Sequence, residues 1–151
     1  MQTPSELPIQ KEVFIQAPPQ KLWQALTQKE QLKEWYFDLS GFEPRPGFEF
    51  SFWGENEGRR YLHLCTVTEA EEEKKLAYTW QYQGYEGNSL VRFELTGSDK
   101  GTKLRLVHSG LETFGNQHPD FAPSNFDMGW TYLIEKALKE YCETGTVVSA
   151  G

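Results

Sequence analysis

Six stretches of this chain alternate apolar and polar residues with a period of two, and each is closed by a turn or a proline. That period puts every second side chain on one face of a pleated strand, so each stretch has one face to bury. The stretches are Ile9 to Gln16, Phe48 to Phe52, Arg60 to Thr68, Leu76 to Tyr82, Leu90 to Thr96 and Leu104 to His108. In the first, Ile9, Lys11, Val13 and Ile15 share a side against Gln10, Glu12, Phe14 and Gln16. Later faces are more aromatic: Phe48, Phe50 and Phe52; then Tyr78, Trp80 and Tyr82 beyond Leu76; then Val91, Phe93 and Leu95. Between the stretches lie Pro44-Arg45-Pro46-Gly47, Gly54 to Gly58, the charged turn Glu69 to Lys75, Gly84 to Asn88, and Gly97 to Gly101. Short connections of this kind join antiparallel neighbours, which predicts a meander rather than a parallel sheet.

The period changes in two places. After Ala17-Pro18-Pro19, where proline ends a ladder and suits a first helical turn, Leu22, Ala25 and Leu26 recur at helical spacing. A second short helix is predicted from Lys29 to Trp35, with Leu32 and Trp35 one turn apart. Near the C-terminus, Phe126, Trp130, Leu133, Ala137 and Tyr141 form an apolar stripe, flanked by Ile134 and Leu138. Glu135, Lys136, Lys139 and Glu140 occupy the opposite face, so this is an amphipathic helix, ended near Gly145. Ser124 is its expected cap, with Asp127 three residues on. The stretch Gly110 to Pro123 has no period and reads as a long loop. The fold class expected is α+β: a curved antiparallel sheet of about six strands around a long C-terminal helix, with two short helices after the first strand. A chain of 151 residues suits one domain, residues 1–151, with its core at about 9–144.

A formal net charge of -7 repels phosphate backbones and anionic bilayers, which argues against nucleic acid or a membrane surface as partner. No apolar run approaches the length that crosses a bilayer, and Met1 to Glu6 has no basic region, so a cytoplasmic protein is expected. Cys65 and Cys142 are then expected as reduced thiols. His63, His108 and His118 are far apart and form no metal-ligand motif. Neither a Gly-rich phosphate loop nor Gly-x-Ser-x-Gly occurs, so no metal or other cofactor is expected and no catalytic residue is assigned.

Three stretches carry a family resemblance: Ile15 to Thr27 (IQAPPQKLWQALT), Leu32-Lys33-Glu34-Trp35, and Gly129-Trp130 with the apolar spacing after it. His108-Ser109-Gly110 adds to them. They resemble the START-like (Bet v 1-like) superfamily, and within it the bacterial proteins similar to the C-terminal domain of the activator of Hsp90 ATPase. The resemblance spans about Ile9 to Glu143 and implies the helix-grip fold, with a cavity between concave sheet and long helix. Relatives use that cavity for sterols, lipids, polyketides or other aromatic molecules. The eukaryotic co-chaperone carries a further N-terminal domain for which this chain has no room, so an Hsp90-type partner is not expected.

The expected partner is a small apolar ligand bound without chemistry, in a monomer or a homodimer. Aromatic residues are 15% of the chain, more than the short helices can absorb. The candidate lining is Trp35, Phe50, Phe52, Tyr78, Trp80, Tyr82, Phe93, His108, Phe126 and Trp130. For each aromatic residue the competing assignment is plain core. His108, on the apolar side of its strand, is either a satisfied core histidine or the polar anchor of the pocket. Two alternatives remain: a cyclase or hydrolase using His108 or a cavity tyrosine as acid or base, and a chaperone-associated interaction module.

Overall fold

The computed structural model describes residues 8–56, 58–114 and 121–144. Strand β1 (Ile9–Ile15) leads into helices α1 (Pro19–Thr27) and α2 (Lys29–Trp35). Five strands follow: β2 (Glu49–Asn56), β3 (Arg59–Glu71), β4 (Lys75–Tyr82), β5 (Ser89–Ser98) and β6 (Gly101–Ser109). They form one antiparallel sheet in the order β1-β6-β5-β4-β3-β2. A 3-10 turn (Leu111–Phe114) precedes the C-terminal helix, which is α over Pro123–Trp130 (α3), π over Thr131–Leu138 and α over Lys139–Thr144 (α4). The α+β helix-grip architecture expected from the sequence is the one observed. None of the described helices is long and apolar enough to cross a membrane.

An open sheet has two edges with unpaired backbone groups, and both are covered in part. On β1, Lys139 Nζ donates to the Phe14 carbonyl at 2.7 Å, the Gln16 amide donates to Glu143 Oε2 at 2.8 Å, and Lys11 pairs with Asp127 at 2.8 Å. These bonds hold the C-terminal helix along the strand. On β2, the Ser40 amide donates to the Ser51 carbonyl, and the Ser51 amide donates to Ser40 Oγ. Strands β1 and β6 meet in register from Ile9 opposite His108 to Ile15 opposite Thr102, which closes the chain's first strand onto its last.

The helix follows a different period from the one expected. Phe126, Trp130, Ile134, Leu138 and Cys142 are its buried ridge, each four residues after the last. In a pure α-helix a four-residue step overshoots by about 40°, so such a ridge would wind away from the sheet. The wider π turns between Thr131 and Leu138 rotate it back. Leu133 and Tyr141, expected on the buried stripe, are half-buried at its margin.

Other expectations need local correction. The helix is capped at Ala122 with Pro123 in its first turn, and no side chain caps it. Proline has no N–H to satisfy at that position, so the start moves ahead of Ser124. The Gly110 to Pro123 stretch is not simply a surface loop: Leu111, Phe114 and Phe121 are buried. His118 lies outside the described residues. The charged turn is shorter than Glu69 to Lys75, because β3 continues to Glu71 after a bulge at Val67/Glu69. Glu69 is held in the ladder by Lys75 at 3.7 Å and Arg92 at 3.4 Å, and Glu73 takes the turn's positive φ of 63°. Likewise β2 runs through Gly54 to Asn56 instead of turning there.

Candidate ligand cavity

The concave faces of β3 and β4 point Tyr61, His63, Trp80 and Tyr82 toward the start of the C-terminal helix. From the other side come Asn125, Phe126, Met128, Gly129, Trp130 and Leu133. Phe37, just after α2, and Phe121, just before α3, complete the wall beside Gly54 and Glu55. Together they line a half-open cavity of about 410 Å³, with the exposed residues Glu55, Met128 and Gly129 at its mouth.

Two glycines make room for it. A Cβ on Gly54 would stand 2.6 Å from His63 Cε1, so the imidazole occupies the space a side chain would need. A Cβ on Gly129 would meet nothing within 4 Å, so its place is open volume. The His63 ring is backed by Phe52, on which it stacks (4.3 Å, 14°), and by Trp80, which it meets edge-on (4.8 Å, 88°), so its free direction is into the cavity it lines. Its Nδ1–H donates to the Tyr61 carbonyl at 3.1 Å, and burial pushes its pKa down to about 4, so the ring is neutral. Gly54→Ala is therefore expected to cost about 1–3 kcal/mol through overpacking and to shrink the cavity as His63 is displaced into it. Thermal unfolding of the variant, with a melting point equal to wild type, would refute this assignment.

Behind the wall runs a closed polar chain. The Trp130 indole N–H donates to His108 Nδ1 at 3.0 Å. The imidazole proton therefore sits on Nε2, which donates to Ser89 Oγ at 2.8 Å. Ser89 in turn donates to the Trp80 carbonyl at 3.0 Å. Burial pushes His108 down to about 3, so it stays neutral. The chain ties β6, β5, β4 and α3 together and leaves neither nitrogen of His108 for another partner. In front of it, the Trp80 indole N–H donates to the Tyr82 hydroxyl at 2.8 Å.

Of the residues singled out from the sequence, Trp80, Tyr82, Phe126 and Trp130 meet at the cavity. Phe50, Phe52, Tyr78, Phe93 and His108 are buried behind it, and Trp35 donates its indole N–H to the Ala25 carbonyl at 2.8 Å, bracing α2 on α1. Sequence reasoning missed Tyr61 and His63, although alternation in the β3 stretch puts both on the apolar face. Phe37, Phe121, Asn125 and Met128 had no such signal, since the first two lie outside any period and the last two belong to the helix's polar margin.

The sequence matches the family described as activator of Hsp90 ATPase homolog 1-like protein over residues 16–143. No curated protein matches it. Among solved structures, protein MLL2253 from Mesorhizobium loti is 33% identical with a TM-score of 0.69, over 89% of this chain and 95% of that one. The Aha1 dimer from Colwellia psychrerythraea is 23% identical with a TM-score of 0.69, over 93% and 98%. DynU16, from the dynemicin biosynthetic locus, is 22% identical with a TM-score of 0.75 over 93% of this chain, which spans only 48% of the DynU16 chain.

Proposed function

The chain belongs to the family of activator of Hsp90 ATPase homolog 1-like proteins, and we propose that it binds a small aromatic or otherwise apolar molecule between its sheet and its C-terminal helix, without chemistry. The observation that carries this reading is the cavity of about 410 Å³, walled by the rings of Phe37, Tyr61, Trp80, Tyr82, Phe121, Phe126 and Trp130. A volume of that size suits a molecule of two or three fused rings, and aromatic walls reward a flat one through stacking and edge-to-face contact. Noncatalytic binding is favoured because both described histidines are buried, neutral and bonded to protein groups. A base held near 4 or below is a weak proton acceptor at neutral pH. The buried free thiols Cys65 and Cys142 fit work in a reducing cytoplasm.

Native mass spectrometry of freshly purified protein, compared with the denatured mass, tests the reading directly. A reproducible excess that is lost on denaturation supports it. Uptake of the neutral fluorophore N-phenyl-1-naphthylamine gives the complementary readout, and Gly129→Leu separates cavity from fold. The added side chain enters open volume in a helix, so stability should hold or rise by up to about 1 kcal/mol. Probe affinity should fall at least tenfold as the mouth is plugged. Unchanged probe affinity in this variant would place binding elsewhere and defeat the proposal.

A further inference from the structure

Tyr36, at the end of α2, and Tyr78, in the middle of β4, meet hydroxyl to hydroxyl at 2.7 Å. Two phenols bring two protons, and one mutual hydrogen bond uses only one of them. The second O–H has no acceptor among the described residues. Tyr78 is buried and Tyr36 half-buried, and a hydroxyl proton left unpaired at that depth costs free energy that an incoming oxygen atom would recover. Burial also raises the pKa of both phenols, so both keep their protons at any physiological pH and remain donors.

The pair lies one ring behind the cavity wall. Tyr36 stacks on Trp130 at 6.2 Å and 22°, and meets Phe37 edge-on at 4.7 Å. Trp130 and Phe37 both line the cavity. Phe37 is half-buried in the irregular segment between α2 and β2. It follows directly on Tyr36, whose φ of -120° and ψ of -107° fall outside the regular wells. Among the rings between cavity and hydroxyls, Phe37 is the one whose backbone belongs to no helix or strand, and its ring leaves the wall by sliding off Phe52, on which it stacks at 4.5 Å.

We infer that the Tyr36–Tyr78 hydroxyl pair is the polar anchor of the cavity, reached when Phe37 turns aside, and that it donates a hydrogen bond to a carbonyl or phenolic oxygen of a flat ligand. Tyr36, nearer the wall, makes the bond while Tyr78 donates to Tyr36 from behind. This rests on the cavity reading above and narrows its ligand from apolar molecules in general to oxygen-bearing aromatic ones.

A matched pair of probes tests it on the full chain. 2-Acetonaphthone and 2-ethylnaphthalene have nearly the same shape and differ by a carbonyl in place of a methylene. Calorimetric titration should show the ketone binding about five- to tenfold more tightly than the hydrocarbon. In Tyr36→Phe, and in the double variant Tyr36→Phe/Tyr78→Phe, the ratio should fall to near one while hydrocarbon affinity stays the same. That unchanged affinity also certifies the variants as folded. Equal affinities in wild type, or a preference that survives in the double variant, overturn the anchor and leave the cavity reading standing. Failure of wild type to bind either probe overturns the cavity reading, and the anchor with it. Should the variants not fold, the infrared carbonyl stretch of ketone bound to wild type decides. A shift to lower wavenumber is the result expected, and a position matching the ketone in hexane overturns the anchor.

Discussion

Trp130→Ala is expected to lower the unfolding free energy by about 3–5 kcal/mol, the cost of emptying a buried indole site. Trp130 is only 3% exposed, and its ring touches Trp80 at 5.8 Å and Phe93 at 6.0 Å. Part of the loss is polar, since its N–H is the sole donor to His108 Nδ1 among the described residues. Trp130→Phe isolates that part: most of the volume stays, the donor goes, and a buried ring nitrogen is left without a partner. About 1–3 kcal/mol is expected for this variant. Urea unfolding followed by circular dichroism measures both. If Trp130→Phe were as stable as wild type, the chain from Trp130 through His108 and Ser89 to Trp80 would carry no weight in the fold.

Acid should weaken the protein well above the range in which carboxylates titrate. Both described histidines have their pKa lowered by burial, His108 to about 3 and His63 to about 4, from an ordinary 6.5. In the unfolded chain they return to 6.5, so below that pH the unfolded state takes up protons that the native state refuses. The stabilisation is therefore complete above pH 6.5 and is lost as pH falls toward the native values. Each histidine contributes a slope of about 1.4 kcal/mol per pH unit in that window. Between pH 7.5 and 4.5 the two together should remove on the order of 5 kcal/mol. Glu143 is also held below the ordinary carboxylate range by the Gln16 amide and Lys139, and adds to the loss only at lower pH. Urea midpoints at the two pH values test the idea, and His63→Phe should remove about half of the difference. An unfolding free energy that is the same at pH 7.5 and 4.5 would show that neither ring is held neutral by the fold.

Both expectations concern residues whose partners are distant in sequence, and that separates what could be read early from what could not. The α+β class, the strand positions and the helix at the C-terminus follow from period alone, because period records which side chains share a face. Trp80 and Tyr82 on β4, and Phe126 and Trp130 on α3, were therefore legible as apolar faces. Whether a face lines a void or fills the core depends on what stands opposite, and no local pattern records that. Phe50, Phe52 and Phe93 are as aromatic as Trp80 and alternate as regularly, yet they are packed solid. His108 showed the same limit: its strand phase marked it as inward-facing, but its partners lie 19 and 22 residues away.

What the sequence determined by itself is the set of elements, their faces and the family, since each rests on spacing along the chain. The tertiary structure decided which faces meet. It set β3 and β4 opposite the first turns of the C-terminal helix, seated His63 against the missing side chain of Gly54, and returned the helix's four-residue ridge to the sheet through its π turns. The physical reason is that a cavity is a deficit of atoms, produced where glycines and ring rotamers from separate elements fail to fill a shared volume. Such a deficit belongs to the contacts between elements, and those exist only once the chain has closed β1 onto β6.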